Sequence, residues 1–197
     1  MIQSQQFKDT IARIDAVNSQ DPNQAFFDGK AVPKEILYAE RMTKWLAHLS
    51  PEASEAIQLA ARSQHIARWK IPRSDYPMDR KGYHRWRTTL NRFHADTAAD
   101  ILRDVGYDKD TIARVSNLLL KKGLKSNPEM QILEDVICLV FLESYFADFS
   151  KKHDEAKLIP IVRKTWKKMT PRGHEAALGL DLSPEAKALI EKALHEE

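Results

Sequence analysis

Cysteine occurs once in the 197 residues, as Cys138, so no internal disulfide can form. Cys138 lies within Val136–Leu142, which is also the longest uninterrupted apolar run. Seven residues fall far short of the roughly 20 that a membrane-spanning helix needs. The first ten residues, MIQSQQFKDT, hold no apolar signal core, which leads us to expect a cytoplasmic protein with no membrane partner. Glycine is scarce, at six residues. Strand-like alternation is rare, and no glycine-rich strand–turn–helix is visible, which argues against a dinucleotide-binding α/β domain.

What the chain does have is helical periodicity and an ordinary globular balance, 43% hydrophobic and 30% charged. The expectation is an all-α fold, one compact multi-helix domain over residues 1–197. Phe7, Ile11, Ile14 and Val17 mark a first amphipathic helix. A second follows Val32-Pro33 and carries Ile36, Leu37, Trp45, Leu46 and Leu49. Ser50-Pro51 reads as the N-cap and first residue of a third helix, with Ile57, Ala60 and Ala61 inward, running to about Trp69. Ile71–Lys81 reads as a loop, broken by Pro72 and Pro77. A long helix spans about Gly82–Val105, closed by Gly106. A short helix capped by Asp108 or Asp110 runs to near Lys122-Gly123, then the most apolar helix spans Asn127-Pro128 to Phe149. Three more cover about Glu155–Lys168, His174–Leu178 and the stretch after Ser183-Pro184.

The net charge of +3 is small, but it is unevenly spread. Arg62 to Arg92 contains nine basic residues against Asp75 and Asp79. Within it Trp69, Tyr76, Tyr83 and Trp86 interleave with Arg68, Arg73, Arg85 and Arg87. Arginine binds phosphate bidentately and aromatic rings stack on bases or sugars. The segment therefore suggests a phosphate-bearing small molecule or a nucleic acid as partner, with Arg68, Trp69, Arg73, Tyr76, Tyr83 and Arg87 as binding residues. A solvated basic face with its aromatics turned inward explains the pattern equally well. Arg163 to Arg172 adds five basic residues and no acid, as an ordinary cationic helix end does.

Two acids stand out. Glu134-Asp135 interrupts an otherwise apolar helix, and a buried carboxylate needs a cation, a metal or helix-terminal N–H groups as partner. His65 continues the stripe of Ile57 and Ala61, and His94 sits mid-helix between Leu90 and Ala98. His65, His94 and Asp135 together form a candidate site for a divalent metal (Mn, Fe, Ni or Zn), with Glu134 and Asp135 as candidate catalytic carboxylates. A structural ion pair for the acids and hydrogen-bonded roles for the histidines are the plainer alternatives.

Two resemblances follow from these residues. Gln64–Trp69, Pro72-Arg73, Tyr76-Pro77, Tyr83 with Trp86-Arg87, Leu133–Val136, Cys138–Leu142 and Lys164–Met169 resemble an uncharacterised bacterial and lower-eukaryote family of unknown function. Its members often carry the label glutamyl-tRNA synthetase. The chain lacks the nucleotide-binding catalytic domain that a genuine aminoacyl-tRNA synthetase needs. The order of elements also resembles, remotely, the HD-domain phosphohydrolases. That resemblance implies an HD-like helical core, with His65 at the histidine of the His-Asp pair, His94 on an accessory helix and Asp135 at the late aspartate. Tyr38 and Ile66 stand where two of the usual ligands belong. The resulting expectation is a metal-dependent phosphohydrolase, or a degenerate relative, acting on a nucleotide-like phosphate. A non-enzymatic RNA- or nucleotide-binding protein using residues 62–92 is the alternative.

Overall fold

The computed structural model describes residues 4–195. Among them are ten α-helices, two 3₁₀ turns and one two-stranded hairpin, so the fold is all-α. Backbone contacts gather into two compact units, Met1–Met130 and Gln131–Glu197.

The first unit opens with α1 (Gln5–Asn18), capped by Ser4, whose hydroxyl accepts from the Phe7 N–H. Phe7 and Ile14 are its buried apolar side chains. The hairpin was not foreseen. Strands β1 (Gln24–Phe27) and β2 (Lys30–Pro33) pair antiparallel around Asp28-Gly29, both at positive φ. An Asp-Gly pair suits a two-residue hairpin turn, because glycine enters the left-handed region without cost. Helix α2 (Lys34–Leu49) follows directly, and its first turn is capped from a distance. The buried Asp21 accepts from the Glu35 N–H (3.2 Å) through one oxygen and from Asn23 through the other.

Ser50 closes α2 rather than opening the next helix; α3 (Glu55–Arg62) starts five residues later, after Ser54. It also ends earlier than the periodicity suggests. Ala67 adopts a left-handed conformation (φ 51°), and its N–H is held by Asn18 Oδ1 at 3.0 Å. A left-handed alanine costs about 1 kcal/mol, so the tie to the end of α1 matters. His65 therefore sits in a turn, not on a helix, and the 3₁₀ turns Arg68–Lys70 and Arg73–Asp75 follow.

Helix α4 (Arg80–Val105) runs from an Asp79 cap to Gly106 at φ 91°. Helix α5 (Lys109–Leu119), capped by Asp108, packs on both α3 and α4. Ile57, Leu59, Leu90, Leu102, Leu118 and Leu119 fill this core.

The second unit takes up most of α6 (Pro128–Ser144) and continues with α7 (Phe146–Ser150), α8 (Glu155–Trp166), α9 (Pro171–Leu178) and α10 (Pro184–His195). Helix α10 packs on α8 and α7. The long helix expected to reach Phe149 is broken at Tyr145, which leaves the helical region (φ −128°) and starts α7. Among the described residues no helix is long and apolar enough to cross a membrane.

Candidate functional site

A polar cluster forms in the first unit where α2, the turn after α3 and α4 meet. Glu35 and Tyr38 stand one turn apart on α2, on the same face. The Tyr38 ring stacks on His65 with centroids 3.7 Å apart and planes within 10°. Arg68 Nη1 lies 3.1 Å from His65 Nε2, and His65 Nδ1 lies 3.2 Å from Glu35 Oε2. A guanidinium only donates, so His65 Nε2 accepts from Arg68, and the Nδ1–H donates to Glu35. Both imidazole nitrogens are thereby engaged.

His94 lies on the buried side of α4, its ring centroid 6.0 Å from that of His65. Its Nδ1–H donates to the Ile66 carbonyl at 2.8 Å. That bond fixes the neutral tautomer, with the lone pair on Nε2. The Nε2 atom is buried and has no hydrogen-bond partner among the described residues.

Positive charge surrounds the two rings. Burial, then Arg68, His94, Arg87 and Lys121, holds His65 well below the ordinary imidazole range. Burial, with Arg68 and Arg87, pushes His94 down to about 3 against the bond to Ile66. Burial likewise raises Glu35 to about 7, despite the opposing pull of Arg68. Arg87 is half-buried and has neither a hydrogen bond nor an ion pair to any described residue.

The aromatic–basic segment folds into a stacked wall. The Arg68 guanidinium sits 4.8 Å from the Trp86 ring centroid, and Arg73 lies 5.9 Å from Trp86 and 6.0 Å from Tyr83. The Trp86 indole N–H donates to the Ile71 carbonyl. Arg73 donates to the Tyr76 and Asp79 carbonyls, so it staples its own loop. Tyr76 contributes its carbonyl to that staple, Trp69 is half-buried on the first 3₁₀ turn, and Tyr83 is exposed.

The two carboxylates of the second unit have structural partners. Glu134 is 2% exposed and pairs with Lys168 at 3.0 Å. Asp135 accepts from the Thr170 N–H (2.8 Å) and the Thr170 hydroxyl (2.6 Å) at the start of α9. Of the partners an acid here could take, Asp135 has helix-terminal donors and Glu134 a lysine. Among the described residues no three or more His, Cys, Asp or Glu side chains are grouped to hold a metal ion. His65, His94 and Asp135 are therefore not grouped as a metal-binding set among the described residues.

Glu35 was not anticipated. An acid in the first turn of a helix is commonplace, and only its one-turn spacing from Tyr38 hints at a shared face.

The opposed shifts of Glu35 and His94 have a measurable consequence. Between about pH 4.5 and 7 the folded chain keeps a proton on Glu35 that the unfolded chain has lost, so this group lowers stability as pH rises. Between about 3 and 6.5 His94 does the reverse. Glu35→Gln removes only the falling limb. In urea unfolding, the variant's stability relative to wild type should improve by on the order of 2 kcal/mol from about pH 4 to about pH 8. A pH-independent difference would contradict this electrostatic account.

The family model described as Domain of unknown function (DUF4202) matches residues 8–190. No curated protein and no solved structure matches the chain significantly.

Proposed function

The chain belongs to the DUF4202 family, and we propose that it binds a phosphate-bearing, nucleotide-like ligand at the Arg68–Arg87 site of the first unit. One observation carries this reading. Arg87 is half-buried beside Arg68 and two neutral imidazoles, and no acid among the described residues compensates it. A partly desolvated cation without a counter-charge is unfavourable unless an anion arrives from outside. Phosphate matches the planar donor fork of arginine. The rings of Trp86 and Tyr83 beside the arginines supply surfaces on which a base or sugar can rest. The resemblance to HD-domain phosphohydrolases supports the same ligand class. A site of two partly buried arginines suits a compact phosphate better than an extended RNA backbone.

Titration calorimetry against inorganic phosphate and nucleoside mono-, di- and triphosphates tests the proposal. Affinity should fall with added salt, and Arg87→Ala should weaken binding by about tenfold or more while far-ultraviolet circular dichroism stays unchanged. No binding of any phosphate compound, or binding indifferent to Arg87→Ala, would overturn it.

A further inference from the structure

We propose that Nε2 of His94 accepts a phosphoryl group from a phosphoanhydride, such as a nucleoside triphosphate, bound at the Arg68–Arg87 site. The inference rests on the binding reading above and adds a chemical step to it.

Of the two imidazoles in the cluster, only one has a nucleophilic lone pair available. His65 receives the Arg68 N–H on Nε2 and directs Nδ1 to Glu35. His94 anchors its Nδ1–H on the Ile66 carbonyl, and its buried Nε2 meets no donor. A buried acceptor left unpaired costs about 1–3 kcal/mol, so it calls for a function. The environment also keeps this imidazole unprotonated at neutral pH, which preserves the lone pair.

The step balances without a metal, an oxidant or an added proton. The Nε2 lone pair forms the N–P bond. The bond from phosphorus to the bridging oxygen breaks, and its electron pair leaves on the shortened phosphate chain. The ring becomes an N-phosphorylated imidazolium and retains its Nδ1–H, still donated to Ile66. That carbonyl, already in place, stabilises the positive charge the ring acquires. Arg68 and Arg87, whose charges act on His94, are the cations that would offset the charge developing on the transferred and departing oxygens. Burial then shelters the N–P bond from water.

The full chain is incubated with γ-labelled ATP and, separately, with acetyl phosphate, and intact mass and peptide fragmentation are recorded. One phosphoryl group per chain is expected, labile in acid, stable in base, and mapped to Nε2 of His94. His94→Asn should take up none. If the asparagine variant is unfolded by circular dichroism, His94→Gln is used, and site mapping on the wild type decides by itself. Calorimetry with inorganic phosphate runs in parallel on the wild type. Phosphate binding without label, or a label on another residue or surviving in the His94 variants, overturns phosphoryl acceptance and leaves the binding site standing. Absence of both binding and label overturns the two together.

Discussion

Asp135→Ala is expected to cost about 2–4 kcal/mol of stability, because it strips two buried donors of their charged acceptor. The carboxylate is 3% exposed, and both of its oxygens are committed to Thr170. Thr170 is itself the N-cap of α9 and accepts from the Gly173 N–H at 3.1 Å. By taking the Thr170 hydroxyl proton, Asp135 turns the lone pair of that hydroxyl toward Gly173, so two layers of acceptor close the helix start. Its negative charge also faces the positive end of the helix dipole. Removing it leaves the Thr170 N–H and O–H without their acceptor. Gly173 is part of the same device, because a Cβ there would lie 2.8 Å from the Asp135 carboxyl carbon. Glu134→Gln should cost less, since Lys168, the partner of Glu134, is half exposed. Urea unfolding of the two variants and the wild type provides the comparison. A loss below about 1 kcal/mol for Asp135→Ala would refute the capping role. Asp135→Ala measured well below its melting midpoint should still bind phosphate, which separates a structural acid from a ligand-binding one.

Much of the helical order is legible in the sequence because it is set locally. Ser4, Asp79 and Asp108 cap their helices through contacts three residues long, and Gly106 ends α4 by a conformation that glycine favours. Asp135 is legible as an anomaly for the same reason: apart from Glu134, its neighbours in sequence are apolar. Its partner is not, because Thr170 lies 35 residues away in an unremarkable Lys-Met-Thr-Pro stretch. The polar cluster fails to show in the sequence on similar grounds. His65 continues a helical stripe by spacing, yet the helix stops at Arg62. The turn that follows is fixed by Ala67, bent into the left-handed region and held by Asn18 from 49 residues away. No local rule assigns that conformation to an alanine. Glu35 reaches His65 because Asp21 and the hairpin set the start of α2. The hairpin has strands of only four residues, mostly exposed, so burial imposes no clean alternation on them. Asp28-Gly29 is a readable turn signal, but nothing beside it marks strands. The interleaving of arginines with aromatics at 68–87 was visible, and so was its ambiguity. The structure divides the segment: Arg73 holds the loop, Arg68 bonds His65, and the charge of Arg87 acts on both imidazoles.

Gly82→Ala is expected to destabilise the first unit by about 3 kcal/mol, at the upper end of overpacking costs, although helix propensity alone predicts the opposite sign. Gly82 stands in the first turn of α4, where alanine ordinarily gains up to about 1 kcal/mol over glycine. Here a Cβ would meet the Pro77 carbonyl oxygen at 2.0 Å and its carbon at 2.7 Å. Both are backbone atoms, so no rotamer change relieves the clash; the 77–79 backbone or the helix start must move. Movement there also disturbs the 2.6 Å cap from the Gly82 N–H to Asp79 and the two carbonyls that hold Arg73. With Arg73 released, its stacking on Trp86 and Tyr83 loosens, and the aromatic wall beside Arg68 loses one face. Gly82→Ala should therefore lower the urea midpoint, shift tryptophan emission and weaken phosphate binding together, even though it changes no residue of the anion site. A raised midpoint would mean that the loop yields freely, and that the close seat of Pro77 against α4 does not set the geometry of the wall.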